Sequence, residues 1–343
     1  MNGNWATDSG GPPHCRLPII NRINRIKGLA VGNAPTVEYP GGGTFTGSRN
    51  LTGDRNMKSM DAISRRQLLA MGLIGTAAVA AAAMPGSLRA GTAPAAGDPF
   101  KGLKVGIASY SLRKFNLEQA IAMTKEAGVR YICLKDMHLS LKSTTAERKA
   151  ARKKIDDAGL VLLGCGVVTI ANKEDAIKAV FDYAKDAGMP TIVCSPEPDA
   201  LDTIEKMAKQ YDIRIAIHNH GPGDKKYPLP QDVLKMVKDR DARMGICMDV
   251  GHTVRMGQDA VAAIKECAPR LLDFHMKDVT EATAKGGPTE VGKGVIDIKG
   301  VLAALVALKF PYHVALEYEA KADAPMPGII ESFDFMRKTL ASI

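Results

Sequence analysis

The stretch LLDFHMKD at residues 271–278 decides the fold prediction, because an apolar run ends there in a cluster of polar side chains. Three other short runs have the same form: RIAIHNH at 214–220, MGICMDVGH at 244–252 and YHVALEYE at 312–319. Apolar runs of this length are typical of buried parallel strands. Each run delivers His, Asp or Glu at its carboxyl end, so the pattern predicts a parallel barrel with a polar site at its mouth.

From about residue 100, short apolar runs alternate regularly with amphipathic runs rich in Lys, Glu and Ala. This alternation favours parallel strands, and eight strand–helix units fit the ~250 residues that a (β/α)8 TIM barrel typically needs. The predicted strands cover 104–112, 131–137, 161–169, 191–195, 214–220, 244–250, 271–277 and 313–319. The alternative is a doubly wound open sheet, which would want a Gly-rich phosphate loop after the first strand. Residues 106–109 (GIAS) do not supply one.

Three segments divide the chain. Residues 1–56 are rich in Gly, Pro, Asn and Arg and lack apolar periodicity, which predicts a disordered segment or sequence upstream of the true start. Residues 57–97 are interpreted as a signal peptide and linker, because paired arginines at 65–66 precede an apolar, Ala-rich run. Residues 98–343 form the predicted barrel, a single catalytic domain.

The arginine pair resembles a bacterial twin-arginine export signal, with Leu68 where that motif usually has Phe. We therefore expect a periplasmic or otherwise exported protein with no stable membrane span after processing. The alternative is an N-terminal membrane anchor, for which the run is short and interrupted by Gly72 and Gly75.

The distribution of charge argues against a nucleic-acid partner. The chain carries a net charge of +9, but ten Lys and Arg against four Asp and Glu lie before Asp98. The remaining 36 basic and 33 acidic residues leave the predicted domain near balance. The six cysteines form no CxxC pair, and four of them lie in apolar runs, which favours buried free thiols over a disulfide framework.

Four adjacent strand ends place one polar residue each on the inner face, given that side chains alternate along a strand. These residues are His218, Asp249, His275 and Glu317. Two imidazoles and two carboxylates suit one divalent ion, with Zn, Mn, Co, Fe and Mg as candidates. The alternative for each residue is an ordinary buried hydrogen-bonding group.

Other polar residues are expected around the same mouth. The candidates for substrate binding are His252, His220, Lys135 and His138, and the candidates for catalysis are Glu317, Glu197 and Lys277. The alternatives are a metal-ligand or helix-capping role for His252, an ion pair with Asp278 for Lys277 and a plain loop charge for Glu197. The loop at 280–294 is either a lid over the site or an ordinary insertion.

Three motifs, DVGH at 249–252, HMKD at 275–278 and LEYE at 316–319, resemble the xylose-isomerase-like barrel family of sugar phosphate isomerases and epimerases. The resemblance covers about residues 104–340. It implies one divalent metal bound by Glu, Asp, His and Glu on strands five to eight, which maps onto Asp249, His275 and Glu317. It also implies that His252 contacts substrate.

The fifth strand departs from this family pattern. Where the family commonly has Glu-Asn-His-Gly, this chain has His218-Asn219-His220-Gly221. The resemblance implies that glutamates on strands five and eight act as opposed acid and base in the family's epimerases. With His218 in that place, the second group would have to be Glu197, Lys135, His138, His220 or a bound water.

The resemblance implies a sugar isomerase or epimerase that removes a proton next to a carbonyl, with Glu317 as general base and a metal-stabilised enediolate. The alternatives are a dehydratase or keto-glycoside lyase that uses the same intermediate, and a non-enzymatic exported sugar-binding barrel. The expected partner is a small sugar or keto-sugar, and the chain could form a homo-oligomer. An apurinic-site nuclease of the same fold would need further histidines, and strand three (161–169) contains none.

Overall fold

Eight parallel strands pair in chain order and close into a barrel in the computed structural model, which describes residues 97–343. The closed barrel confirms the (β/α)8 prediction and excludes the open sheet. The disordered segment and the export signal predicted within residues 1–96 lie outside the described residues. The barrel strands are β1 (Lys104–Ala108), β2 (Tyr131–Leu134), β3 (Val161–Ile170), β4 (Thr191–Pro196), β5 (Arg214–His218), β6 (Met244–Asp249), β7 (Leu271–Met276) and, as the eighth, β10 (His313–Leu316).

Helices follow the strands and surround the barrel. They are α1 (Leu117–Glu126), α2 (Thr145–Asp157), α3 (Glu174–Asp186), α4 (Leu201–Tyr211), α5 (Pro230–Val237), α6 (Val250–Arg255), α7 (Ala260–Cys267), α8 (Ile298–Ala307) and α9 (Met326–Ala341). Capping boxes at Asn116 and Thr144 define where α1 and α2 begin. The glycines that end α1 to α3 adopt positive φ, as a helix C-terminus favours.

Six of the eight barrel strands end earlier at the mouth than the apolar pattern predicts, while β3 and β4 each extend one residue further. The eighth strand, for example, ends at Leu316, so Glu317 lies immediately beyond the ladder. A short helix that the pattern did not predict, α6, follows β6 without a loop, and the side chain of Asp249 caps it by accepting the backbone N–H of His252 at 2.8 Å. Asp249 is therefore both the end of a strand and the cap of a helix.

Alternate strand residues face two different cores. Ile215, Ile217 and Phe274 pack in the large core shared with the helices, while Ala216 and Cys247 belong to a small cluster inside the barrel. This is the predicted alternation for these residues, but Leu272 of β7 departs from it and joins the inner cluster, near a register shift in the pairing of β6 with β7. The five cysteines of the described chain are all buried and free, as predicted. Within residues 97–343, no helix combines the length and apolarity needed to cross a membrane.

The segment after β7 is held at its base by a buried carboxylate. Two short strands, β8 (Asp278–Val279) and β9 (Pro288–Thr289), pair antiparallel within it. The Asp278 side chain is fully buried and accepts four backbone N–H groups, those of Val279, Gly292, Gly294 and Ile296, at 2.9–3.2 Å. Asp278 is thus committed to this loop and does not pair with Lys277.

Candidate metal centre

Four side chains from consecutive strand ends converge at the carboxyl end of the barrel. One donor atom each of His218, Asp249, His275 and Glu317 lies within 4.8 Å of the others, and all four residues are buried. His218 Nε2 lies 3.1 Å from His275 Nδ1 and 3.6 Å from Asp249 Oδ2. His275 Nδ1 lies 3.3 Å from Glu317 Oε2. The convergence follows from the fold, because parallel strands of similar length end at one edge.

Two imidazole nitrogens of this cluster are buried without a hydrogen-bond partner among the described residues. They are Nδ1 of His218 and Nε2 of His275. Buried polar atoms are rarely left unpaired, because each costs roughly 1–3 kcal/mol. Two imidazoles and two carboxylates at this spacing fit the ligand preferences of a divalent transition metal. These residues therefore suit a metal ion.

Lys277 lies at the centre of the acidic groups. Its ammonium is 3.0 Å from Asp249 Oδ2, Glu317 Oε2 and Glu319 Oε1, and the residue is only 4% exposed. Although burial lowers the pKa of Lys277, Asp249 and Glu317 outweigh burial and hold that pKa well above its usual range. Lys277 is therefore a fixed positive charge beside the candidate ligands.

The cluster sets the protonation of its own members. Burial lowers the pKa of His218 to about 3, so its imidazole is neutral and one of its two nitrogens can bind a cation. Burial alone would raise the pKa of Asp249 and Glu317, but neighbouring cationic groups, with Lys277 common to both, hold both pKa values well below the usual range. Burial would lower the pKa of His275, but Glu317, Asp273 and Asp249 together outweigh it and the pKa is raised.

Below the four ligands lies a second polar layer that the sequence reasoning did not single out. Cys247 Sγ donates to Asp273 Oδ1 at 3.6 Å, and the same oxygen lies 4.0 Å from His275 Nε2. Burial raises the pKa of Asp273 to about 6. The period-two pattern of β6 and β7 contains the signal for this layer, since both residues share the inner face with the ligands.

Two histidines flank the cluster on its more open side. His252 Nε2 lies 4.0 Å from Asp249 Oδ2, and His220 Nδ1 lies 3.2 Å from Asp224 Oδ2. Their side chains are 19% and 36% exposed, whereas that of His218 is 2% exposed. Burial lowers the pKa of both flanking imidazoles. They are brought to the mouth together with the ligands.

The other predicted site residues have partners of their own. Lys135 donates to the backbone carbonyl of Val167 at 2.5 Å. His138 Nδ1 lies 2.9 Å from the buried hydroxyl of Ser109, and Glu197 pairs with Lys226 at 3.1 Å on the rim. None of Lys135, His138 and Glu197 joins the group of four candidate ligands.

Asn219 is a positioning residue that the sequence reasoning passed over. It is fully buried between His218 and His220, its Oδ1 accepts the backbone N–H of Asp249 at 2.9 Å, and its Nδ2 donates to Thr253 at 3.2 Å. It thereby ties the end of β5 to the end of β6. A lone amide among histidines at a strand end is the signal that could have identified it.

This fold and this cluster define a barrel enzyme whose mouth can hold a divalent metal. The model of one family, described as the xylose isomerase-like TIM barrel, matches residues 121–339, more than half of the chain. The chain belongs to this family.

Curated relatives are dehydratases. An inosose dehydratase of Bacillus thuringiensis is 22% identical over 196 residues, which cover 51% of this chain and 63% of the relative. A Bacillus cereus inosose dehydratase matches to the same extent. The chain thus spans less than two thirds of the length of these relatives, and the match supports an enzyme without selecting an isomerase.

Solved structures share the fold. A protein designated IOLI, whose crystal structure contains a zinc atom, superposes with a TM-score of 0.61 at 16% identity and covers 70% of this chain and 99% of its own. An L-ribulose 3-epimerase superposes with a TM-score of 0.59 at 15% identity, over 70% and 95%. The probable 3-DHS dehydratase AsbF of Bacillus anthracis gives 0.57 at 11%, over 68% and 98%. At these identities the likeness establishes the fold.

Proposed function

We propose that the protein is a metal-dependent lyase of the dehydratase type that acts on a small polyhydroxylated ketone such as a keto-sugar. It removes the proton next to the carbonyl and expels an oxygen substituent from the adjacent carbon. The observation that carries this proposal is that the strand-five member of the cluster is His218 and the strand-eight member is Glu317, where a pair of glutamates would serve epimerisation. The same base supports aldose–ketose isomerisation, the second candidate, which the likeness to sugar epimerases favours.

His218, Asp249, His275 and Glu317 would hold the metal ion. A bound divalent ion supplies Lewis-acid polarisation of the substrate's carbonyl and hydroxyl oxygens. His218 cannot act as a second base while it is a ligand, because each neutral imidazole has one basic nitrogen. The cluster therefore works from one face of the substrate, which suits elimination or a single-base shift better than inversion of a carbon.

Glu317 is the proposed general base. Lys277 lies 3.0 Å from its Oε2 and helps to hold its pKa well below the usual range, so the carboxylate is ionised and ready to take a proton. The same ammonium lies beside Asp249, where it would stabilise negative charge on a substrate oxygen as the proton leaves. Lys277 is thus a proposed electrostatic catalyst rather than a base.

The flanking histidines are the proposed substrate contacts. His252 and His220 line the more open side of the cluster, and as neutral imidazoles each has one N–H to donate to a hydroxyl. The proton that Glu317 takes would pass to the departing oxygen, so that water leaves while both histidines stay neutral hydrogen-bond donors. Lys135 and His138 remain proposed contacts, although the Val167 carbonyl and Ser109 already engage them.

Export remains part of the proposal. The arginine pair at 65–66 and the apolar run after it support a periplasmic location, where unphosphorylated sugars are the expected substrates. Fusing residues 57–97 to a reporter that functions only after export tests this. Export that stops when both arginines are replaced by lysine supports it, and a reporter retained in the cytoplasm overturns it.

The proposed function is tested by metal analysis and solvent exchange on the purified full chain. We expect about one divalent ion per chain, the number that one four-ligand site holds, and loss of that ion in His275→Ala. Keto-sugars in deuterium oxide should then give ultraviolet absorption of a conjugated enone. Deuterium in a rearranged sugar without that absorption selects isomerisation. If the protein catalyses neither exchange nor elimination with Mn, Co or Zn, the proposal is overturned.

A further inference from the structure

A cysteine lies directly under the four candidate ligands, inside the barrel. Cys247 stands on β6 two residues before Asp249, is fully buried, and is in register with His218 on one neighbouring strand and Asp273 on the other. It belongs to the small inner cluster with Val193 and Ala216. Its thiol therefore faces the barrel axis at the level where β5 ends.

The thiol and the two imidazoles form a second group of donor atoms. Cys247 Sγ and one nitrogen each of His218 and His275 lie within 4.8 Å of one another. The two nitrogens of His275 face different neighbours, since Nδ1 lies 3.3 Å from Glu317 and Nε2 lies 4.0 Å from Asp273. Nε2 is buried and has no hydrogen-bond partner in the part of the chain that the structure describes, and the Asp273 oxygen beside it is the one that accepts from Cys247.

We propose that the barrel mouth contains two overlapping ligand sets, and that His218, Cys247 and His275 form the set that takes thiophilic cations such as zinc and cobalt. Thiolate and imidazole ligands favour these metals, whereas carboxylates favour Mg and Mn, which would bind through Asp249 and Glu317. On coordination the thiol gives up its proton, and Oδ1 of Asp273, 3.6 Å away, is the nearby acceptor.

The two sets are alternatives for a single ion. They share both histidines, and two divalent cations only a few ångströms apart in a buried site repel strongly. When a thiophilic cation binds through Cys247, Asp249 and Glu317 are no longer ligands and form ion pairs with Lys277 only. The metal supplied would therefore decide which side chains are ligands, and zinc would displace manganese rather than add to it. This inference rests on the proposed function in one respect only, since both assign the two histidines as metal ligands.

Cobalt(II) spectroscopy of the full chain tests the proposal. A cobalt–thiolate bond gives a near-ultraviolet charge-transfer band, while ligand-field absorption in the visible reports bound cobalt whatever its ligands. We expect both in the native protein, and the charge-transfer band alone to disappear in Cys247→Ala. Cys194→Ala is the matched control, because Cys194 is a buried free thiol on β4 outside both ligand sets. Should Cys247→Ala fail to fold, Cys247→Ser gives the same comparison.

Affinity for zinc against manganese gives an independent measurement. Cys247→Ala should weaken zinc binding by about 10- to 100-fold, the loss typical when a side chain supporting a metal site is removed, and leave manganese binding unchanged. Ligand-field absorption without a charge-transfer band in the native protein overturns the thiol set and leaves the proposed function standing. No cobalt absorption overturns the thiol set, and the proposed function fails with it only if manganese and zinc also do not bind, so the two failures are distinct.

Discussion

The two ends of the barrel each bury a histidine, and the two histidines face opposite surroundings. His275 at the mouth and His313 at the floor stand on neighbouring strands, β7 and β10, and each is 2% exposed. Carboxylates surround His275 and raise its pKa against the effect of burial. In contrast, neither ring nitrogen of His313 has a hydrogen-bond partner within residues 97–343, and burial lowers its pKa to about 3. Burial of a histidine alone therefore does not create a metal site. The charged groups beside the buried imidazole are what distinguish the mouth from the floor.

The floor shows why its histidine serves packing. A Cβ on Gly106 would lie 2.7 Å from His313 Nε2 and 2.1 Å from the carbonyl oxygen of Tyr131, so glycine there makes room for the ring. After burial, the groups that act on the pKa of His313 are His275 and Lys104, and both lower it. The mouth holds charges that a cation would balance, and the floor holds a neutral ring.

The largest expected effect comes from replacing the base at the mouth. Glu317→Gln keeps the shape of the side chain but removes the carboxylate, so turnover should fall by about 100- to 10,000-fold, the usual contribution of a general base. Deuterium exchange into a keto-sugar substrate measures this. A protein that merely binds sugars would keep most of its affinity in the variant.

The matched control for Glu317→Gln is Glu319→Gln. Both carboxylates lie 3.0 Å from the Lys277 ammonium, but only Glu317 is among the four candidate ligands. The control should lose far less turnover. Equal losses in the two variants would show that charge around Lys277, rather than a base at residue 317, supports the reaction.

The sequence predicted the mouth well because its signals are local. The apolar runs and their polar ends predicted eight strands, and period-two alternation placed Asp249, His275 and Glu317 on one face. What it could not predict depends on contacts between distant segments. The partners of Lys277 come from β6 and from the residues after β10, and Asp278 is committed to backbone groups as far as Ile296. Spacing along the chain does not encode such pairings.

The next effect is on stability and separates a buried ion pair from an exposed one. Lys277→Met leaves the carboxylates around it without a cation, and removing one partner of a buried pair costs about 3–5 kcal/mol. Urea unfolding with a chelator should show this loss. A divalent ion should offset part of it, because it would neutralise the same carboxylates. Lys226→Met, at the partly exposed Lys226–Glu197 pair, should cost about 0–1 kcal/mol. Equal losses of unfolding free energy in Lys277→Met and Lys226→Met would contradict the predicted difference between the buried and the exposed ion pair.

A smaller effect depends on pH and belongs to the floor. The unfolded His313 has a pKa near 6.5 and the folded one about 3, so between these values the unfolded chain binds the extra proton. Stability is therefore lost as pH falls below 6.5, by about 1.4 kcal/mol per unit, or about 2 kcal/mol at pH 5. His313→Leu removes this dependence. The difference between native and variant unfolding free energies at pH 7.5 and pH 5 measures it, and a constant difference would contradict it.

The smallest expected effect concerns Glu197, which the sequence placed among the catalytic candidates. Its carboxylate pairs with Lys226 on the rim, with side chains 46% and 28% exposed, and such pairs contribute about 0–1 kcal/mol. Glu197→Gln should then change turnover by no more than about fivefold, the factor that corresponds to roughly 1 kcal/mol. Lys226→Met is its control, since a shared ion pair predicts similar small changes in both. A loss of about 100-fold in Glu197→Gln alone would instead mark Glu197 as the second acid–base group. Glu197 and Glu317 would then supply the two carboxylates that epimerisation needs. That result would overturn the proposed lyase, which acts from one face of the substrate.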